Sequence, residues 1–184
     1  MFPELDRVLI DQERIGARVR ALGQEISRDL LADIARTGNE QIVLVPILTG
    51  SVVFVADLIR HMPLKLSLGV VAVSSYPGKS LQSKGAAIRG EIPPGLAGKH
   101  VLIVDDILDT GRTLSLVRSV IAEQKPASLR LCVLLRKLIA REEEVAAEYV
   151  GFDIPDEFVV GYGLDFDGYY RNYPGVAVLK REAR

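Results

Sequence analysis

Residues 101–114 read VLIVDDILDTGRTL, and this stretch concentrates the chemistry of the chain. Four apolar residues, Val101 to Val104, predict a buried strand, and Asp105 and Asp106 follow at once. Asp109 comes three residues later, and Thr110, Gly111, Arg112 and Thr113 lead into an apolar-periodic helix. Side chains alternate along a strand, so neighbouring acids at its end can reach different atoms of one ligand. An ionised carboxylate only accepts hydrogen bonds, which suits a vicinal diol such as the 2- and 3-hydroxyls of ribose. Backbone N–H groups and two threonine hydroxyls in DTGRT can converge on an anion at the helix N-terminus. Gly111 lets the backbone approach that anion closely, and Arg112 adds a cation or simply faces solvent. A ribose bearing a phosphate satisfies both halves. The competing reading is plainer: Asp109 and Thr110 cap the helix, and the other acids are exposed loop residues.

The elements that must position these groups follow from periodicity. Ile15, Val19, Leu22, Ile26, Leu30 and Ile34 recur at three- and four-residue steps, predicting a helix over 11–35 that Thr37-Gly38-Asn39 closes. QIVLVPIL (41–48) predicts a first central strand, with Pro46 restricting its pairing. Leu48-Thr49-Gly50-Ser51 is then a tight turn into a helix over 52–60. A second strand is expected over 64–74, ending at Ser74-Ser75-Tyr76. From Pro77 to Gly90 the chain is polar and punctuated by glycine, a loop long enough to be functional. The helix entered from Thr113 continues to Ala122, and SLRLCVLL (128–135) is another strand with Cys132 as a core residue. Read alone, residues 148–173 are an aromatic-rich β hairpin with turns.

Composition narrows the function classes. Among 184 residues, 23 are basic and 24 acidic, so neither a nucleic-acid nor a membrane-surface footprint is expected. The single cysteine excludes an intrachain disulfide and any multi-cysteine metal site. Residues 42–59 approach the length of a membrane span, but Pro46, Thr49, Gly50 and Ser51 interrupt them as a strand, loop and helix require. The start of the chain lacks the basic flank and apolar core of a secretory signal. A single cytoplasmic domain over 1–184 is the expectation.

The order strand, Asp-Asp, two apolar residues, Asp-Thr-Gly-Arg-Thr and helix resembles the phosphoribosyl-pyrophosphate signature of type I phosphoribosyltransferases. An acid at Asp109 resembles the 6-oxopurine branch, the hypoxanthine-guanine phosphoribosyltransferases, and so does VGFDIPDEFVVGYGLD (150–165). The resemblance implies an α/β fold: a central, mostly parallel sheet flanked by helices, with a small hood built from terminal segments and a flexible loop. It implies transfer of a phosphoribosyl group from 5-phosphoribosyl 1-pyrophosphate to hypoxanthine or guanine, with Mg2+ as cofactor. Asp105, Asp106, Asp109, Thr110, Gly111, Arg112 and Thr113 would bind the ribose phosphate, with Asp109 as general acid/base at purine N7. Thr49, Gly50 and Arg171 would take the pyrophosphate. Lys137 would bond the 6-oxo group, Phe158 stack on the base, Val159 offer backbone hydrogen bonds and Asp165 help hold the metal, together with Asp105 and Asp106. Ser75 and Tyr76 would lead into a lid over about 75–90, and about 148–173 would be the base-binding segment. Relatives of this kind assemble as homodimers or homotetramers. Two departures stand out: Thr49 where many relatives have lysine, and Asp105 where many have glutamate.

Overall fold

The computed structural model describes residues 2–75, 86–89, 92–140 and 143–183. Its main sheet is formed by β2 (Ile42–Leu48), β3 (Leu66–Leu68), β4 (Val71–Ser75), β5 (Ala86–Arg89), β6 (His100–Leu108), β7 (Ser128–Lys137) and β8 (Tyr149–Ile154). The order runs β5-β4-β2-β6-β7-β8, with β3 also on β2, and all neighbours are parallel except β4 and β5.

Among the described residues three α-helices cover the sheet: α1 (Gln12–Thr37), α2 (Val52–Leu58) and α3 (Arg112–Glu123). Strand alternation sorts the core into two layers. Leu44, Leu102, Val104, Cys132 and Leu134 face the stripe of α1 and Phe54, Val55 and Leu58 of α2. Val43, Val45, Val101, Ile103, Leu131 and Val133 face Leu114, Val117 and Ile121 of α3. These central strands are buried on both faces, which is why they read as continuous apolar runs. Asp11 caps α1 by accepting from the Arg14 N–H at 2.8 Å, and Gly38 closes it in the left-handed region.

The ends of the chain build a separate small sheet. β1 (Leu5–Ile10) and β9 (Val159–Val160) flank β10 (Val176–Leu179), all antiparallel, with Leu5 opposite Leu179.

Several elements differ from expectation. Strand β1 has no counterpart in the sequence pattern: its side chains are largely exposed, so no apolar alternation marks it. The single strand expected over 64–74 is two, broken at Gly69-Val70, and both parts pair with β2. Their registers on β2 skip Val45 and Pro46, so the proline sits where that side has no ladder partner. β6 runs on to Leu108, with Asp105 and Asp106 inside it, opposite β7. Residues 148–173 are not a hairpin, because β8 pairs in parallel with β7 whereas β9 belongs to the other sheet. Part of the stretch expected as a loop, 86–89, is strand β5 on β4. Tyr76 and the rest of the expected lid, β5 excepted, lie outside the described residues.

Candidate active site

β2, β6, β7 and β8 are parallel, so their carboxyl ends share one edge of the sheet, the edge where open α/β folds bind ligands. A cleft of about 340 Å³ opens there, between the end of β2 and the turn from β6 into α3. Gly50, Asp105, Asp106, Asp109, Thr110, Gly111 and Thr113 all line it. Thr49 and Arg112 do not line it, although Thr49 is beside it and is joined to Leu48 by a cis peptide.

The turn is shaped by close backbone contact. Gly111 has φ 84°, and a Cβ there would overlap the carbonyl oxygen of Glu143. Glu143 in turn donates its N–H to the Thr110 carbonyl at 3.2 Å, so a distant segment braces the loop from behind. The N-cap position of α3 is Gly111, which has no side chain of its own to cap the helix. Asp105 and Asp106 lie within β6 and Asp105 is buried, so they are not the exposed loop residues of the plainer reading.

The two acids of β6 differ in surroundings. Asp105 is buried, and burial followed by the charge of Asp106 pushes its carboxyl well above the usual range. Burial also raises Asp106, against the lowering effect of its bond with Asp105 and of the Arg171 charge. The Asp106 carboxylate lies against the Cα of Gly50, in the space that a Cβ would take. Any side chain at position 50 would have to displace that carboxylate. The carbonyl of Gly50 lies against Gly163, which brings the segment after β9 onto the same floor. From that segment Arg171 pairs with Asp165 at 2.7 Å, and Asp165 also accepts from the Gly168 N–H at 2.8 Å.

At the other side of the turn, Lys137 ends β7 with its ammonium 2.9 Å from Asp109 and 3.1 Å from Asp156. Burial opposes the lysine charge, but bonds to the two carboxylates hold its pKa above the ordinary value. Phe158 is 37% exposed and meets Phe166 edge to face at 5.6 Å, leaving part of its surface open. Val159 is in β9, one of the two edge strands of the small sheet among the described residues. Ser75 closes β4 opposite Ala86. The structure thus gathers one cleft with acids and the turn into α3, and beside it an ammonium–carboxylate pair and an aromatic ring.

Two contacts at the site have no place in the sequence reading, the brace at Glu143 and the carboxylate of Asp156. Asp156 follows Pro155 in the turn after β8, and parallel pairing of β7 with β8 sets that turn beside Lys137. An acid at the end of one strand and a lysine at the end of its neighbour is the available signal.

A model of the phosphoribosyl transferase domain matches residues 16–167. The chain is 43% identical over 181 residues to the hypoxanthine-guanine phosphoribosyltransferase of Mycobacterium avium, covering 97% of this chain and 88% of that protein. It also superposes on solved structures. One is a hypoxanthine-guanine phosphoribosyltransferase from Bacillus anthracis, with a TM-score of 0.84 and 38% identity over 96% of this chain and 99% of that one. Another is a lysine-to-arginine mutant of the Trypanosoma cruzi hypoxanthine phosphoribosyltransferase in a ternary substrates complex. There the TM-score is 0.88 and the identity 35%, over 98% of each chain.

Proposed function

The chain belongs to the phosphoribosyl transferase family, among its hypoxanthine-guanine phosphoribosyltransferases, and from that premise we propose how its own residues carry the reaction. The reaction is a step of purine salvage. N9 of hypoxanthine or guanine attacks C1 of 5-phosphoribosyl 1-pyrophosphate, the bond from C1 to the pyrophosphate oxygen breaks, and the nucleoside 5-monophosphate leaves with pyrophosphate.

The observation that carries the assignment of roles is the pairing of Asp109 with Lys137 at the rim of the acid-lined cleft. On a 6-oxopurine, N7 and the 6-oxo oxygen lie on one edge of the ring. A carboxylate and an ammonium side by side match that edge. Asp109 takes the N7 proton as N9 becomes nucleophilic, and Lys137 donates to the oxo group. Phe158 stacks on the base, and Val159 supplies backbone hydrogen bonds to its edge. The N–H groups of the Thr110–Thr113 turn hold the 5-phosphate. Asp105 and Asp106 accept from the ribose hydroxyls. Gly50, the backbone at Thr49 and Arg171 receive the pyrophosphate. With no lysine at position 49, backbone donors and Arg171 carry that anion. Fixed charges around a sugar that becomes cationic do most of the work, since positioning and charge compensation lower such a barrier.

The donor set suits magnesium. Among the described residues no three metal-binding side chains cluster, so an all-protein cage is absent there. Mg2+ prefers one or two carboxylates plus substrate phosphates and waters. Asp165, or the Asp105–Asp106 pair, would supply those one or two carboxylates, and two buried carboxyls pushed up by burial favour a counter-cation. Bound there, such an ion would supply compensation for the negative charge of the pyrophosphate.

No helix among the described residues is long and apolar enough to cross a membrane. A cytoplasmic location and a homodimeric or homotetrameric state belong to the same proposal on the strength of the family, and sedimentation checks the second. The direct test is pyrophosphate release from phosphoribosyl pyrophosphate and Mg2+ with hypoxanthine, guanine, xanthine or adenine offered singly. Turnover is expected with hypoxanthine and guanine and not with adenine. No turnover with any base would overturn the assignment.

A further inference from the structure

The geometry points to Asp156 as a positioning residue for recognition of the 6-oxo group, acting through Lys137. The inference rests on the placement of Lys137 at the base and deepens it. The ammonium of Lys137 stands between two carboxylates, Asp109 at 2.9 Å and Asp156 at 3.1 Å. These two acids have different futures during a reaction cycle. When the purine enters, Asp109 must turn to N7, and the N–H it gives up passes to the oxo oxygen. The bond to Asp156 need not change, so it is a contact that keeps the ammonium aimed while Asp109 is exchanged for the base.

A lysine ammonium on a flexible four-carbon stem needs such a fixed point. Lys137 is only 12% exposed, whereas Asp156 is 66% exposed and makes no part of the packed core. Asp156 also sits two residues before Phe158, in the turn that joins β8 to β9. One short segment therefore presents both the stacking ring and the anchor of the donor, and the two faces of base recognition are set together. The neighbouring Glu157 is held by Arg7 of β1 through two 2.6 Å bonds, which steadies this turn from the hood.

The test is steady-state kinetics of wild type, Asp156→Asn and Asp156→Glu, varying hypoxanthine and phosphoribosyl pyrophosphate separately. For Asp156→Asn the KM for hypoxanthine is expected to rise about tenfold, with the KM for phosphoribosyl pyrophosphate and the Tm unchanged. Asp156→Glu, which restores the charge one methylene further out, should recover much of that loss. In a Lys137→Ala background, Asp156→Asn should add nothing, because two residues acting through one ammonium are not additive. A hypoxanthine KM within about twofold of wild type, a parallel rise in both KM values, or additive effects in the Lys137→Ala background would each overturn the role. Should Asp156→Asn fail to fold, Asp156→Glu and Asp156→Ser read the same KM values. Failure of the wild type to use any 6-oxopurine would instead strike the functional assignment itself.

Discussion

Asp105 is held in the fold at a cost. Its carboxyl is buried beside Asp106 and pushed toward the protonated form, so at neutral pH the ionised group favours the unfolded chain. Asp105→Asn is therefore expected to raise the Tm of the ligand-free protein by roughly a few degrees while turnover falls steeply, since the amide also donates toward the ribose hydroxyls. Calorimetry beside an activity assay checks both halves. Asp109 has a different assignment, a proton shuttle. Asp109→Asn should lower kcat by about 10²–10⁴-fold, the usual worth of a general acid/base, with little change in the KM for phosphoribosyl pyrophosphate. Equal loss of binding and turnover would count against that assignment. These residues are legible in the sequence because Asp105 to Thr113 are contiguous, and contiguity at a strand end is itself geometry. Lys137 with Asp156 is not, because the pair forms only when two strands lie side by side in register.

At the scale of elements, the cleft depends on turns where a side chain would have to displace a neighbour. In Gly50→Ala the new methyl would occupy the place of the Asp106 carboxylate, and in Gly111→Ala that of the Glu143 carbonyl, at a backbone φ that disfavours any Cβ. Both variants are expected to lose activity by more than about tenfold, the first with a raised KM for phosphoribosyl pyrophosphate; kinetics and Tm together separate a displaced loop from general unfolding. Leu22 probes the scaffold instead. It is fully buried on α1 among the core of one sheet face, so Leu22→Ala should destabilise by about 2–5 kcal/mol in a denaturant titration. The helices and inner strands are readable because burial imposes a period on them. The hood is not, since β1 shows water most of its side chains and owes its form to a partner at the other end of the chain. The extension of β6 through two aspartates is likewise hidden, as pairing with β7 overrides the poor strand preference of an acid.

For the whole molecule, the charge that ties α1 to the sheet lies away from the cleft. Asp33 takes hydrogen bonds from Arg130 of β7 and from Arg36. Burial raises its carboxyl, but those bonds outweigh burial and leave it below the ordinary 3.8. The stability it lends is present above that value and is lost as pH falls through the ordinary carboxylate range and below it. Acid unfolding should consequently be less steep in Asp33→Asn than in the wild type, followed by circular dichroism between about pH 5 and pH 2. On the same faces, Cys132 is fully buried, and burial drives its thiol well above the usual range. It should stay inert to thiol reagents until the chain unfolds.

The antiparallel pairing of Leu5 with Leu179 also sets a timetable for synthesis. A ribosome makes the acids of β6 and the turn into α3 well before it makes β10, the strand on which β9 rests among the described residues. A nascent chain can thus assemble the acid-lined cleft while β9, with Phe158 before it, is still unplaced. Catalytic competence arrives in one late event, when the last strand emerges and the first is recaptured beside it.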